Sequence, residues 1–110
     1  MSEKYQNGCP IMNTLNKVGG KWKLPILWQL YNDDLRYNEL KRRLDGITNI
    51  MLTRCLQDLE KENLVNRLQI SDIPPHVEYS LTEHCRNLAD TLLNLEVWEE
   101  KVQSMQNSKM

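Results

Sequence analysis

The sequence predicts one mainly α-helical domain that carries a small β-hairpin. With 110 residues, the chain has the length of a single domain. Hydrophobic residues make up 40% of it and charged residues 26%, which indicates a folded chain rather than a disordered one. Apolar residues recur at helical spacings of three and four along most of the sequence, and they alternate as in a strand only past residue 64.

Two helices and a short extended segment are expected in the first third of the chain. The stretch "PIMNTLNKV" predicts a first helix that ends at Gly19. The stretch "WKLPILWQLYN" predicts a second helix. Because Pro25 lacks a backbone N–H, it fits only the first turn of that helix, which fixes where the helix starts. The stretch "DDLRY" then forms a turn and a short extended piece.

Two short helices joined by a glycine turn are expected next. Asn38 is the predicted N-cap of the third helix, and Gly46 breaks the chain just after it. A fourth helix is expected from about residue 48 to 62, capped by Thr48 or Asn49. This arrangement predicts a helix-turn-helix, in which the first helix supports the second for insertion into the DNA major groove.

A β-hairpin and a long last helix complete the expected order. The stretches "VNRLQI" and "HVEYSL" alternate as strands do, within a hairpin that spans about residues 65 to 81. Thr82 then caps a helix that runs to about residue 105. This order of elements is that of a winged helix-turn-helix, in which the hairpin is the wing.

The last helix carries an apolar seam that extends beyond what a small domain needs for its own core. A single chain can bury such a seam internally, but we expect this helix to pack with the first helix and with a second copy of the chain. The resulting homodimer would hold two DNA-reading helices about one DNA turn apart. The seam residues are Leu88, Leu92, Leu95, Trp98, Val102 and Met105.

The fourth helix has a polar side opposite its apolar one, and we expect that side to contact operator DNA. Thr, Asn, Arg and Gln side chains reach base edges and phosphates in the major groove. Residues 21–67 hold nine basic and seven acidic side chains, whereas residues 68–110 hold three and seven, so the positive charge lies in the part with this helix. An ordinary solvated face is the alternative. The expected contacts are Thr48, Asn49, Thr53, Arg54 and Gln57.

Further polar and basic side chains flank the helix-turn-helix or lie on the wing. We expect them to contact phosphates, although solvated surface residues of these types are just as common. They are Lys21, Lys23, Arg36, Asn38, Arg67 and His76.

The chain also resembles the HxlR-type bacterial transcriptional regulators, which are similar to MarR-type regulators in architecture. The resemblance covers residues 9 to about 99 and runs through three separated motifs in the family's order. They are "CPIMNTLNKVGGKWKLPILWQL", "RYNELKRRLDGITNIMLTRCLQDLEKENLV" and "IPPHVEYSLTE". The resemblance implies a winged-helix homodimer that binds pseudo-palindromic operator DNA. It further implies that Cys9 is a sensor of oxidants, quinones or other electrophiles.

The three cysteines have no metal-binding or C-x-x-C spacing and are expected to be reduced thiols. Cys55 flanks the apolar row of the fourth helix and should pack as a small hydrophobic residue. Cys85 follows the Thr82 cap, where the helix dipole can lower the pKa of a thiol unless burial opposes it. For Cys9, an unreactive thiol is the alternative to the sensor that the resemblance implies.

Other classes of protein are less consistent with the sequence. The longest apolar run is too short to span a membrane and no secretion signal is present, so a cytoplasmic protein is expected. No metal or cofactor is expected, and an enzyme built on His76, His84 and Cys85 is disfavoured because their spacing fits no metal motif. Two alternatives remain: a regulator switched by a small ligand at its dimer interface, and a winged helix that contacts proteins without DNA.

Overall fold

The computed structural model of the protein describes residues 9–108 and confirms the mainly α-helical fold with a small antiparallel sheet. In chain order its elements are α1 (Pro10–Val18), α2 (Lys23–Asn32), β1 (Leu35–Arg36), α3 (Tyr37–Arg43), α4 (Asn49–Lys61), β2 (Val65–Asp72), β3 (Pro75–Leu81) and α5 (Glu83–Ser108). This is the order of a winged helix-turn-helix, in which α3 and α4 form the helix-turn-helix and β2 and β3 form the wing.

A glycine and a side-chain cap shape the helix-turn-helix. Gly46 lies between α3 and α4 with a φ of 90°, a left-handed conformation that favours glycine. Thr48 is the N-cap of α4, because its Oγ1 accepts a hydrogen bond of 3.1 Å from the backbone N–H of Met51. Of the two caps expected for this helix, Thr48 is therefore the one that is used.

The start of α3 differs from the prediction. The helix begins at Tyr37, so Asn38 lies inside its first turn and the prediction that Asn38 is the N-cap is wrong. The reason is that Glu39 Oε1 accepts a hydrogen bond of 2.9 Å from the backbone N–H of Arg36, which holds Arg36 at the cap position. Asn38 is left at the surface.

The sheet holds the wing beside the helix-turn-helix. Strand β3 lies in the middle, with β1 and β2 antiparallel to it on either side. The short strand β1 pairs Leu35 with Tyr79 and Arg36 with Glu78. Because α3 begins directly after β1, this pairing fixes the wing relative to α3.

A single hydroxyl joins the end of α4 to the start of α5. Thr82 Oγ1 donates to the carbonyl oxygen of Asn63 at 2.8 Å and accepts from the backbone N–H of Cys85 at 2.9 Å, which caps α5. Asn63 follows α4 with a φ of 60°. Helix α5 runs on to Ser108, slightly past its predicted end at about residue 105. The turn that follows α4 is thus hydrogen-bonded to the start of the long last helix.

The core buries one side of α4. Leu52, Leu56 and Leu59 are at most 2% exposed and pack in one cluster with the buried residues of α2. Cys55 is buried among them, as predicted for a small hydrophobic side chain. The opposite side of α4 therefore remains at the surface.

Candidate nucleic-acid interface

The exposed side of α4 is polar and continuous. Asn49, Thr53 and Gln57 follow one another at intervals of four residues, so they lie along one line of the helix, with Arg54 beside them. All four are exposed, and so is Ile50, with 76% of its surface accessible. Hydrogen-bonding groups and one apolar side chain on a convex helix suit the donors, acceptors and thymine methyl groups of the major groove.

The hydroxyl of Tyr37 contacts two residues on this exposed side of α4. Its hydroxyl donates to the backbone carbonyl of Asn49 at 3.0 Å and lies 3.2 Å from Thr53 Oγ1 and 3.3 Å from Asn49 Oδ1. Tyr37 is the first residue of α3, so these bonds link the two helices of the helix-turn-helix. They restrict the side chains of Asn49 and Thr53 and leave the amide NH₂ of Asn49 to donate outward. The sequence interpretation did not identify Tyr37 as part of the site.

We expect a Tyr37→Phe variant to bind operator DNA about two- to tenfold more weakly than the wild type. The variant keeps the ring but loses the hydroxyl bonds to α4, and a hydrogen bond of this kind contributes about 0.5–1.5 kcal/mol. DNA-binding titrations would measure the change, with Tyr31→Phe on α2 as the matched control. An affinity equal to that of the control would contradict a supporting role for the Tyr37 hydroxyl.

The start of α3 and the wing form a second polar area. Arg36 Nη1 lies 3.4 Å from His76 Nε2, and both residues line a groove of about 590 Å³. Asn38 and Arg42 also line this groove. The structure therefore brings together three residues that were predicted separately, Arg36, Asn38 and His76, and it adds Arg42. Two guanidinium groups and an imidazole around one groove can hold a phosphate, whereas the Glu39 carboxylate, which also lines the groove, opposes it.

Arg67 lies between this wing and α4. It lines a hollow of about 490 Å³ together with Thr53 and Gln57 of α4 and with Tyr37. The guanidinium is therefore close to the exposed side of α4, although it comes from the wing. The side of α4, the groove beside Arg36 and His76, and this hollow together form one surface, which we call the α4–wing surface and which comprises residues of β1, α3, α4, β2 and β3.

The two lysines at the start of α2 differ in their surroundings. Lys23 Nζ lies 3.5 Å from Asp58 Oδ2, and the Lys23 side chain is only 17% exposed. Its charge is already balanced by a carboxylate on α4. Lys21 is exposed, with its Nζ 4.9 Å from the centroid of the Trp22 ring. Of the two, Lys21 is the more available to a phosphate.

Three of the six seam residues on α5 are half-buried within the single chain, and the other three are exposed. Leu88, Leu92 and Val102 are half-buried, whereas Leu95, Trp98 and Met105 are each more than half exposed. Helix α1 shows a comparable apolar face, formed by Ile11, Met12 and Leu15. Large apolar side chains exposed on two helices are typical of a surface that another protein covers.

The thiols fall into two environments. Burial raises the pKa of Cys55 and, on α5, that of Cys85. Cys85 is 1% exposed and the pKa of its thiol is raised, so burial opposes the helix dipole, which is the condition under which the sequence predicts no reactivity at this thiol. Cys9 is half-buried at the N-cap position of α1.

Two other features bear on the class of protein. Across residues 9–108, no three His, Cys, Asp or Glu side chains are grouped so that they can hold a metal ion. No helix in the same range has both the length and the apolar character needed to cross a membrane.

The sequence is similar to known transcriptional regulators of the helix-turn-helix type. Residues 17–107 match the family described as HxlR-like helix-turn-helix. The chain is 42% identical to the HTH-type transcriptional regulator YdeP of Bacillus subtilis, over 86% of this chain and 73% of YdeP. It is also 42% identical to the regulator YybR of the same organism, over 91% of this chain and 84% of YybR.

A solved structure is similar over nearly the whole fold. The redox regulator HypR in its reduced form superposes with a TM-score of 0.82 at 37% identity, covering 90% of this chain and 98% of HypR. Its oxidized form superposes with a TM-score of 0.79 at 40% identity, covering 84% and 96%.

Proposed function

The chain belongs to the HxlR-like helix-turn-helix family and is a transcriptional regulator of the helix-turn-helix type, and we propose that it binds pseudo-palindromic operator DNA as a homodimer. The exposed polar side of α4 carries this proposal. Its hydrogen-bonding side chains lie opposite a well-packed core and remain exposed, although Asn49 and Thr53 also contact the Tyr37 hydroxyl. Regulators of this class are DNA-binding proteins and not enzymes.

In this proposal α4 reads base edges while its surroundings hold the phosphates. Arg54 and Gln57 have the donors that pair with guanine and adenine, and Ile50 has the apolar surface that contacts a thymine methyl group. Thr48 at the helix start and Asn49 and Thr53 further along complete the base-reading side. The phosphate contacts are assigned to Lys21, Lys23, Arg36, Asn38, Arg67 and His76, with Lys23 the weakest because Asp58 balances its charge.

The proposed dimer is formed by α1 and α5. Leu95, Trp98 and Met105 are exposed in the single chain and would be covered by the partner copy, together with the partly exposed Leu88, Leu92 and Val102. A two-fold axis through this seam relates the two α4 helices, which matches the symmetry of a pseudo-palindrome. Binding both half-sites at once gives much higher affinity than binding either half-site alone.

We further propose that oxidants or electrophiles switch the regulator through Cys9. This thiol lies at the start of α1, which is part of the proposed dimer seam, so a modification there acts on the spacing of the two subunits. The similarity to HypR, a redox regulator, supports this assignment. Because Cys55 and Cys85 are buried, the product would be an adduct of Cys9 with the electrophile or a disulfide with a thiol outside the same chain.

A thiol-specific reagent should modify Cys9 first in the native, reduced protein. Cys55 and Cys85 should react only after unfolding, because burial blocks access and raises the pKa of both, which leaves less reactive thiolate at neutral pH. Titration with 5,5′-dithiobis(2-nitrobenzoic acid), with and without denaturant, would count the thiols in each class. A native fast phase that persists in a Cys9→Ser variant would contradict the assignment.

Two other modes of action keep specific support. A small ligand at the dimer interface is favoured by the apolar groove of about 520 Å³ that lies between α2 and α5. A module that contacts proteins without DNA is favoured only by the exposed Leu68, Ile70 and Ile73 of the wing. The exposed polar side of α4 argues against a module that contacts only proteins.

The experiment that tests DNA binding is fluorescence anisotropy of labelled DNA from upstream of the protein's own gene, titrated with the reduced protein. The proposal expects saturable binding that weakens steeply as salt rises, because phosphate contacts release counterions. Addition of diamide or a quinone should change that binding in the wild type and leave it unchanged in the Cys9→Ser variant. Binding that ignores both DNA sequence and oxidant would contradict the proposal.

A further inference from the structure

Ile50 is an apolar side chain within a polar surface. It is 76% exposed on α4, and it lines a shallow hollow of about 380 Å³ whose other lining residues are all polar. The buried residues of α4 lie on the opposite side of the helix, so Ile50 contributes little to the core. An exposed β-branched residue is also slightly unfavourable in a helix. Stability therefore does not explain an isoleucine at this position. The polar lining residues are Asn49, Thr53, Arg54 and Gln57.

The hollow around Ile50 is largely formed before any ligand binds. A β-branched side chain on a helix has one strongly preferred χ1 rotamer, so Ile50 loses little conformational entropy when it makes a contact. Beside it, Asn49 Oδ1 and Thr53 Oγ1 lie 3.3 and 3.2 Å from the Tyr37 hydroxyl oxygen, which restricts both side chains. A preformed site of this kind costs less to occupy than one that must be ordered.

The position of Ile50 relative to Arg54 limits which base it can reach. The two residues are four apart, so they are neighbours on one side of α4, separated by about 6 Å along its axis. Successive base pairs are about 3.4 Å apart along the DNA. The base that Ile50 meets is therefore within about two base pairs of the guanine proposed for Arg54.

In the major groove, the apolar group that distinguishes one base from another is the methyl group at C5 of a pyrimidine. Thymine and 5-methylcytosine carry this methyl group at the same place, whereas uracil and cytosine lack it. Because an isoleucine side chain neither donates nor accepts hydrogen bonds, it favours a base through the methyl group and not through the polar base edge.

We infer that Ile50 makes operator binding depend on pyrimidine methylation. At one position of each half-site, the regulator selects a 5-methylpyrimidine, thymine or 5-methylcytosine, over the same base without the methyl group. This selectivity rests on the proposed function and adds to it a chemical group that the operator must present. Burial of one methyl group changes affinity by about three- to fivefold, and thus by about ten- to twentyfold for two half-sites. Where cytosine occupies the position, its methylation strengthens binding.

Anisotropy titrations with operators that differ only in methyl groups test this selectivity. The operator is first selected from random DNA with the reduced protein. Each thymine is then replaced, symmetrically in both half-sites, by deoxyuridine, which keeps the hydrogen-bonding groups and lacks the methyl group. We expect one position, within about two base pairs of the guanine that Arg54 contacts, at which this replacement weakens binding about ten- to twentyfold. At that position, cytosine should likewise bind about ten- to twentyfold more weakly than 5-methylcytosine.

Two variants assign the effect to Ile50. Ile50→Ala should bind the thymine and deoxyuridine operators within about twofold of each other, because the side chain that contacts the methyl group is absent. Ile70→Ala removes the same side chain from an exposed position on the wing and should keep the full difference between the two operators. Unfolding curves should show that both variants are folded, since neither side chain is buried.

The outcomes separate this selectivity from DNA binding itself. Saturable binding that ignores every deoxyuridine replacement overturns the inference and leaves the proposed function intact. A difference between thymine and deoxyuridine that persists in Ile50→Ala overturns it as well. Failure to select or bind any operator overturns the proposed function, and the inference with it.

Discussion

Replacing Arg54 with alanine is expected to weaken operator binding by about 1–3 kcal/mol for each half-site, which is about 30- to 10⁴-fold for a dimer on two half-sites. Arg54 is exposed on α4, and its guanidinium is the side-chain group best suited to donate two hydrogen bonds to a guanine. The loss should be largest for the selected operator and small for unrelated DNA. Anisotropy titrations with both DNAs measure this difference.

The matched control is Arg86→Ala, which removes the same side chain from the exposed surface of α5. Both variants should unfold at nearly the wild-type temperature, because neither side chain packs in the core. If Arg54→Ala lowers affinity no more than Arg86→Ala, or if it unfolds early, the assignment of Arg54 to a base contact is contradicted.

Introducing a charge at Trp98 is expected to have the second large effect. The indole of Trp98 is 62% exposed in the single chain and lies in the middle of the proposed seam. A Trp98→Glu variant would place two carboxylates near the two-fold axis without partners, which is unfavourable in an apolar interface. The variant should sediment as a monomer and bind the full operator about 10²- to 10⁴-fold more weakly, because the advantage of bivalent binding is lost.

Asn107→Glu provides the control for added charge. Residue 107 is on the same helix and, at 100° per residue, on the side opposite Trp98. It should remain a dimer with wild-type affinity for DNA. A Trp98→Glu protein that remains dimeric would show that α5 does not form the interface through this seam.

Local patterns were sufficient to predict most of the fold. Gly46, the Thr48 cap and the Thr82 cap each act within a few residues of the chain, so the sequence alone located the turn and the starts of α4 and α5. The start of α3 was misjudged because asparagine is a common N-cap residue, which favoured Asn38. In the structure the backbone N–H of Arg36 donates to Glu39 Oε1, and this bond makes Arg36 the N-cap.

The features that the sequence did not reveal depend on residues far apart in the chain. The hydroxyl of Tyr37 contacts Asn49 and Thr53, and these contacts cross the turn between two helices. The ion pair of Lys23 with Asp58 likewise joins α2 to α4. The reactivity of Cys85 was left open for the same reason, because its place in a helix is a local property but its burial depends on the packing of the whole chain.

The most direct test of the central claim is the dependence of affinity on the distance between half-sites. The reduced protein would be titrated onto its selected operator and onto the same operator with about 5 bp inserted at the centre, which rotates one half-site by half a turn. We predict that the insertion lowers affinity to that of a single half-site, because the two α4 helices of the dimer can no longer reach both major grooves together. Equal affinity for the two DNAs would contradict a rigid dimer that reads two half-sites through α4.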